Sequence, residues 1–183
     1  PYDYPATLNA AVELLDRALT DGHADRPALI TPDGNGGWQH TTYAELAAQV
    51  DALAHVLVRD MGLEPGNRVL LRGFNGRWMA VAWLATVKAG LVAVTTMPLL
   101  RTKELRVIAE RAQCQAALCD VRLADELRLA AESPTTLRDI RVWGTNDAEG
   151  LEALMAVPRG AFDAVRTSRD DVCLIAFTSG TTG

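Results

Sequence analysis

Apolar positions along the chain alternate between helical spacing and short unbroken runs. Leu8, Val12, Leu15 and Leu19 share one face of a predicted helix that Gly22 ends. Ala28-Leu29-Ile30 reads as a strand. The turn-forming stretch Pro32-Asp33-Gly34-Asn35-Gly36-Gly37 joins it to Trp38-Gln39-His40 as a hairpin. Thr42 and Glu45 have the spacing of a capping box, in which hydroxyl and carboxylate satisfy orphan N–H groups at a helix start. Leu46, Val50, Leu53 and Leu57 follow at helical spacing, and Gly62 closes that helix.

Val69-Leu70-Leu71, Leu91-Val92-Ala93-Val94 and residues 116–119 read as strands buried on both faces. Ile140-Arg141-Val142-Trp143 and the buried run Cys173-Leu174-Ile175-Ala176-Phe177 are later strands. Residues 78–89 are apolar on nearly every side, so this helix should be covered from several directions. Further helices are expected from Thr102 or Lys103 to residue 112, over 123–131, and within 149–155. Strands alternating with helices predict an α/β fold: a mostly parallel sheet covered by helices on both faces. Residues 133–137 and 158–171 read as long surface loops, and no repeat interrupts the series.

Composition narrows the function. The chain has 183 residues, 49% of them apolar and 22% charged, which suits a folded domain with a sizeable core. A net charge of −5 disfavours a general nucleic-acid or membrane-surface binder, yet leaves room for one local anion site. Cys114, Cys119 and Cys173 are odd in number and form no CxxC pair, which points to free thiols in a reducing compartment. The N-terminus lacks a secretory pattern, and the longest apolar run, 79–87, stops at Lys88, far short of the roughly 18 residues of a membrane span. A soluble, cytoplasmic protein is expected. With no initiator Met, trimmed ends are expected too.

The densest chemistry lies at the end. Thr178-Ser179-Gly180-Thr181-Thr182-Gly183 follows an apolar strand. Its two glycines let consecutive N–H groups aim at one point as an anion nest, and its four hydroxyls add donors. In an open α/β sheet, ligands bind at the C-terminal ends of strands, so this loop suits a phosphate cradle. It is not a Walker loop, because the GxxxxGK spacing is absent. The same composition also makes plain polar turns, and composition alone leaves both readings open.

A family resemblance favours the cradle. Phe177-Thr178-Ser179-Gly180-Thr181-Thr182-Gly183 resembles the signature loop of the AMP-forming adenylate synthetases, the superfamily of acyl-CoA synthetases, luciferases and peptide-synthetase adenylation domains. Thr41-Thr42-Tyr43-Ala44-Glu45-Leu46 resembles the family's early "TYxEL" helix start. Pro65-Gly66-Asn67-Arg68-Val69 is similar to its "PGDRV" strand start, and Val87-Lys88-Ala89-Gly90-Leu91-Val92-Ala93-Val94 to its "KAG" junction, which continues through a proline such as Pro98. The likeness spans nearly the whole chain. Thr96-Met97-Pro98-Leu99-Leu100-Arg101-Thr102-Lys103-Glu104-Leu105 is most similar to aryl-CoA ligases, of the 2-aminobenzoate–CoA ligase type.

The resemblance implies an ATP-dependent ligase that activates a carboxylic acid, of benzoate or 2-aminobenzoate type, as an acyl-adenylate and passes it to coenzyme A. ATP, Mg²⁺ and coenzyme A are the implied cofactors. Thr178, Ser179, Gly180, Thr181, Thr182 and Gly183 are the implied phosphate-binding residues, and no protein metal ligand is assigned. In this family the x-Pro-Lys continuation, the catalytic lysine, the adenine-ribose contacts and most acyl-pocket residues fall beyond Gly183. Residues 1–183 are therefore expected to be the N-terminal part of an AMP-binding domain, cut within its phosphate loop and inactive alone. The alternatives are an enzyme that loads a carrier protein, as a fatty acyl-AMP ligase or peptide synthetase does, and a non-catalytic α/β nucleotide-binding module.

Other candidates read as structural. His23, His40 and His55 lack metal-ligand spacing and suit surface or supporting roles. The serines show no GxSxG elbow. Trp78 and Trp83 suit a core better than a base-stacking platform. Arg101, Lys103, Arg106 and Arg111 suit a solvated helix face better than a grip on a coenzyme A phosphate, and Asp170-Asp171 a capped or solvated turn.

Overall fold

The computed structural model describes residues 4–132 and 135–178. The first helix, α1, spans 12–20, a π-helical stretch Val12–Asp16 running into an α-helical turn Arg17–Thr20. The hairpin follows as β1 (Pro27–Pro32) and β2 (Trp38–Thr42), paired antiparallel. Helix α2 (Tyr43–His55) starts on the predicted capping box: Glu45 N donates to the Thr42 hydroxyl at 3.2 Å, and Thr42 N donates to the Glu45 carboxylate at 2.8 Å. It extends through a π-helical stretch, Val56–Asp60, and stops near Gly62 at φ 64°.

The remaining elements alternate as expected. They are β3 (Arg68–Arg72), α3 (Arg77–Lys88), β4 (Val92–Thr96), α4 (Thr102–Ala112), β5 (Cys114–Asp120), α5 (Ala124–Ala131), β6 (Asp139–Trp143), α6 (Leu151–Met155) and β7 (Leu174–Ala176). Five strands form one parallel sheet in the order β6-β5-β3-β4-β7. Period-two alternation splits the core between its faces. Val69, Leu71, Ala93, Ala116 and Leu118 pack under α1, α2, α3 and α6 with Leu15, Leu53, Val81 and Leu151. Leu70, Val94, Ala117 and Cys119 pack under α4 and α5 with Leu105, Ile108 and Leu127. The chain leaves β3 toward one face and β5 toward the other, so the topological switch point lies between their C-terminal ends.

Lys88 does more than end an apolar run. Its ammonium is buried at the end of α3 and donates to Asp51 of α2 at 2.6 Å and Asp16 of α1 at 2.9 Å. Burial, the largest single influence, pulls its pKa down, but the bonds and charges of Asp51 and Asp16 outweigh it and leave the pKa raised.

One expectation needs correction and another gains detail. The strand before the hydroxyl-rich loop is not a buried one: Leu174 and Phe177 are substantially exposed, because among the described residues β7 pairs only with β4. The segment after α6 is a loop, as expected, and it is pinned as a strap. Buried Asn9 donates from Nδ2 to the carbonyls of Val87, Lys88 and Val165 at 3.1, 3.3 and 3.0 Å. Val165 N donates to Lys88 O, and Leu8 N to Thr167 O. These bonds satisfy a main chain that has no ladder of its own. No described helix is long and apolar enough to cross a membrane.

Candidate functional site at the C-terminal edge of the sheet

Two clefts open at the C-terminal edge, separated by the turn between β4 and α4. The first, about 520 Å³, is lined by Thr95, Thr96 and Met97 at the end of β4, Lys103 of α4, and Phe177 and Thr178 after β7. Thr178 is exposed there and is the predicted phosphate-binding residue that can be placed. Ser179, Gly180, Thr181, Thr182 and Gly183 lie outside the described residues. Parallel register sets this geometry: Thr95 pairs with Ala176, the last residue of β7, which puts Thr178 two residues beyond the sheet on the same cleft as Thr96 and Met97. The cleft combines hydroxyls and an exposed lysine with the apolar side chains of Val107 and Ile108, so it can take a ligand with an anionic end and an apolar body.

The second cleft, about 410 Å³, sits at the switch point between Phe74, Pro98, Leu99, Arg101 and Arg122. The Arg122 guanidinium lies 4.6 Å over the Phe74 ring and donates to the Asp120 carboxylate at 2.9 and 2.7 Å. Hydrogen bonding to Arg122 holds the Asp120 carboxyl below its ordinary range and raises the guanidinium pKa in return. Gly73 lies against the Trp143 ring, which itself stacks on Trp78 at 6.2 Å between centroids. A Cβ at residue 73 would clash with the ring, so the β3–α3 turn can approach Trp143 at the end of β6 this closely only as glycine.

Beneath both clefts lies Arg72, the last residue of β3 and fully buried. Its Nε donates to Leu123 O at 3.2 Å and Nη1 to Met97 O at 3.1 Å; Nη2 donates to Pro98 O at 3.1 Å and Leu100 O at 2.8 Å. Burial lowers its pKa, with Cys119 and Glu126 pulling the other way. From the outer side Glu126 accepts from Thr102 N at 2.8 Å, Thr102 Oγ1 at 2.5 Å and Arg101 Nη1 at 3.1 Å. Those bonds, led by the Thr102 hydroxyl, keep the Glu126 carboxyl below its usual range.

Of the other candidates, Arg101, Lys103 and Arg111 are exposed, as a solvated face requires, although Arg101 is paired with Glu126. Cys114 and Cys119 are buried thiols whose pKa values burial pushes up to about 12. His55 departs from a surface role: it is buried edge-on against Phe162 with centroids 5.1 Å apart, because it sits on the inward face of α2. Asp171 caps a turn by accepting from Ser168 N at 2.7 Å. Sequence reasoning missed Arg72, Asp120 and Glu126. The available signal for Arg72 was a charged residue directly after the apolar run 69–71.

Residues 15–183 match the family described as AMP-binding enzyme. The chain is 28% identical over 179 residues to benzoate–CoA ligase of Thauera aromatica, covering 98% of this chain and 33% of that protein. It is 30% identical over 234 aligned residues to carboxylic acid reductase of Mycobacterium marinum, covering 98% and 20%. Among solved structures, an anthranilate CoA ligase bound to anthranoyl-AMP superposes with a TM-score of 0.87 at 23% identity, over 99% of this chain and 33% of that one. The chain thus spans a third or less of these relatives' length.

Proposed function

Because the chain belongs to the AMP-binding enzyme family, we propose that it forms the N-terminal part of the adenylation domain of an ATP-dependent acid–CoA ligase. In the full-length ligase a carboxylate oxygen attacks the α-phosphorus of MgATP, and the bond to pyrophosphate breaks. The thiolate of coenzyme A then attacks the carbonyl of the acyl-adenylate, AMP leaves, and a thioester remains. Residues 178–183 hold the β- and γ-phosphates, so that pyrophosphate departs in line without a protein nucleophile. An aromatic acid of benzoate or 2-aminobenzoate type is the proposed substrate, in keeping with the benzoate–CoA ligase relative. Free buried thiols fit a cytoplasmic setting.

The observation that carries this reading is the position of Thr178. It leaves the C-terminal end of a parallel strand into a hydroxyl-lined cleft beside β4, on the carboxyl-end edge of the sheet that open α/β folds use for ligands though not at the β3/β5 switch point itself. The test is Thr181→Ala in the full-length ligase. Losing one bond to a charged phosphate is expected to cost about 1–3 kcal/mol in kcat/KM for adenylation, roughly ten- to hundred-fold. An unchanged adenylation rate refutes the assignment of the loop. Scoring pyrophosphate release with and without coenzyme A separates a ligase from an enzyme that loads a carrier protein.

A further inference from the structure

A strand buried on both faces is ordinarily apolar; β3 opens on half-buried Arg68, is apolar through Val69, Leu70 and Leu71, and closes on Arg72, which is fully buried. A buried guanidinium carries a desolvation cost that an apolar residue of similar size avoids, so its retention calls for a specific task. Every acceptor of Arg72 is a main-chain carbonyl. Three belong to the β4–α4 turn, at Met97, Pro98 and Leu100, and the fourth is Leu123 at the start of α5. A planar fork fixes several carbonyls at once, which a lysine or an apolar side chain cannot do. Glu126 grips the following residues, Arg101 and Thr102, from the opposite side.

The turn held in this way is the wall common to both clefts. Met97 lines the cleft that contains Thr178, while Pro98 and Leu99 line the cleft at the switch point. Leu99 is 86% exposed, so burial of its own side chain does not hold the turn in place. Leu100 packs half-buried on the α4–α5 core and its N–H donates to Met97 O at 3.2 Å. Arg72 below and Glu126 beside the turn hold its carbonyls and its exit into α4.

We propose that Arg72 is a positioning residue for adenylation, which fixes the 97–101 turn so that Met97 stays beside Thr178 in the first cleft. This rests on the ligase reading above. The test uses the full-length ligase and carboxylate-dependent exchange of labelled pyrophosphate into ATP. Arg72→Met is expected to raise KM for ATP roughly ten-fold or more, the scale set by small misplacements of a binding wall. Its kcat is expected to stay within about three-fold, the pattern of lost ground-state positioning. Arg72→Lys, whose ammonium meets some of the same carbonyls, should recover part of the loss, and Glu126→Gln should shift KM in the same direction by less.

A loss of thermal stability alone would leave KM for ATP unmoved in the folded fraction. A KM within about two-fold of wild type in both Arg72 variants therefore overturns the proposal, whatever happens to the melting temperature. Should Arg72→Met fail to fold, an unmoved KM in Arg72→Lys and Glu126→Gln overturns it equally. Absence of exchange by the wild-type enzyme with every acid refutes the ligase reading itself. Wild-type exchange with unmoved variants refutes only the positioning role.

Discussion

Replacing Lys88 with Met removes the cation that ties three helices together. In the native protein its ammonium is 4% exposed and touches Asp51 at 2.6 Å and Asp16 at 2.9 Å. The variant keeps the hydrocarbon stem's volume but leaves two carboxylates facing one another. Stripping one partner from a fully buried ion pair costs about 3–5 kcal/mol. Asp16 and Asp51 retain 26% and 13% side-chain exposure, so water relieves part of that cost and a value near 3 kcal/mol is expected. With a urea m-value of about 2 kcal/mol/M, the unfolding midpoint should fall by roughly 1.5 M.

Equilibrium urea unfolding followed by far-UV circular dichroism measures this directly. The pKa of Lys88 is raised from 10.5, so its contribution is complete below that pH and is lost only as pH climbs through the higher folded-state value. The gap between wild type and Lys88→Met should therefore be flat between about pH 7 and 9. Replacing Lys88, Asp16 and Asp51 together by apolar residues should recover much of the stability, because no charge is then left buried without a partner. A cost below about 1 kcal/mol for Lys88→Met, or a triple variant as unstable as the single one, refutes the account of the cluster as an interdependent ionic tie.

Gly90→Ala is expected to destabilise the protein by more than about 1 kcal/mol, since φ is +70° and the new Cβ would lie 2.7 Å from Val165 Cγ1. Calorimetry should show Val165→Ala relieving only the steric part, and an unchanged melting temperature for Gly90→Ala would contradict the strap packing. Iodoacetamide at about pH 8 should label Cys173 before the other cysteines, because the buried thiols of Cys114 and Cys119 have pKa values near 12 and little thiolate. Peptide mapping that finds Cys114 or Cys119 modified first in the native protein would refute that ordering.

Local chemistry was the legible part of the sequence. The Thr42–Glu45 box and the 102–112 helix depend on residues within a few positions of one another, and both occur where their spacing places them. The alternation of strand and helix likewise fixed the parallel class before any long-range contact was known. What escaped depends on partners distant in sequence. Lys88 reads as the end of an apolar run until Asp16 and Asp51, 72 and 37 residues away, come to meet it. Arg72 reads as the polar end of a strand until the fold returns the 97–100 carbonyls and Leu123 to its guanidinium. The strap after α6 reads correctly as a loop, but its bonds to Asn9 and Lys88 have no local signal. At the candidate site, the hydroxyl-rich composition and the family resemblance single out 178–183 as the proposed phosphate loop, of which Thr178 lies among the described residues, whereas Arg72 and Glu126 had no local signature.

Carboxylate-dependent exchange of labelled pyrophosphate into ATP by the full-length protein, run across a panel of aliphatic and aromatic acids, tests the central claim most directly. The account predicts exchange that requires an acid, is strongest with benzoate-type acids, and falls roughly ten- to hundred-fold on Thr181→Ala. Exchange that is absent with every acid from a folded protein, or that is indifferent to Thr181→Ala, would contradict it.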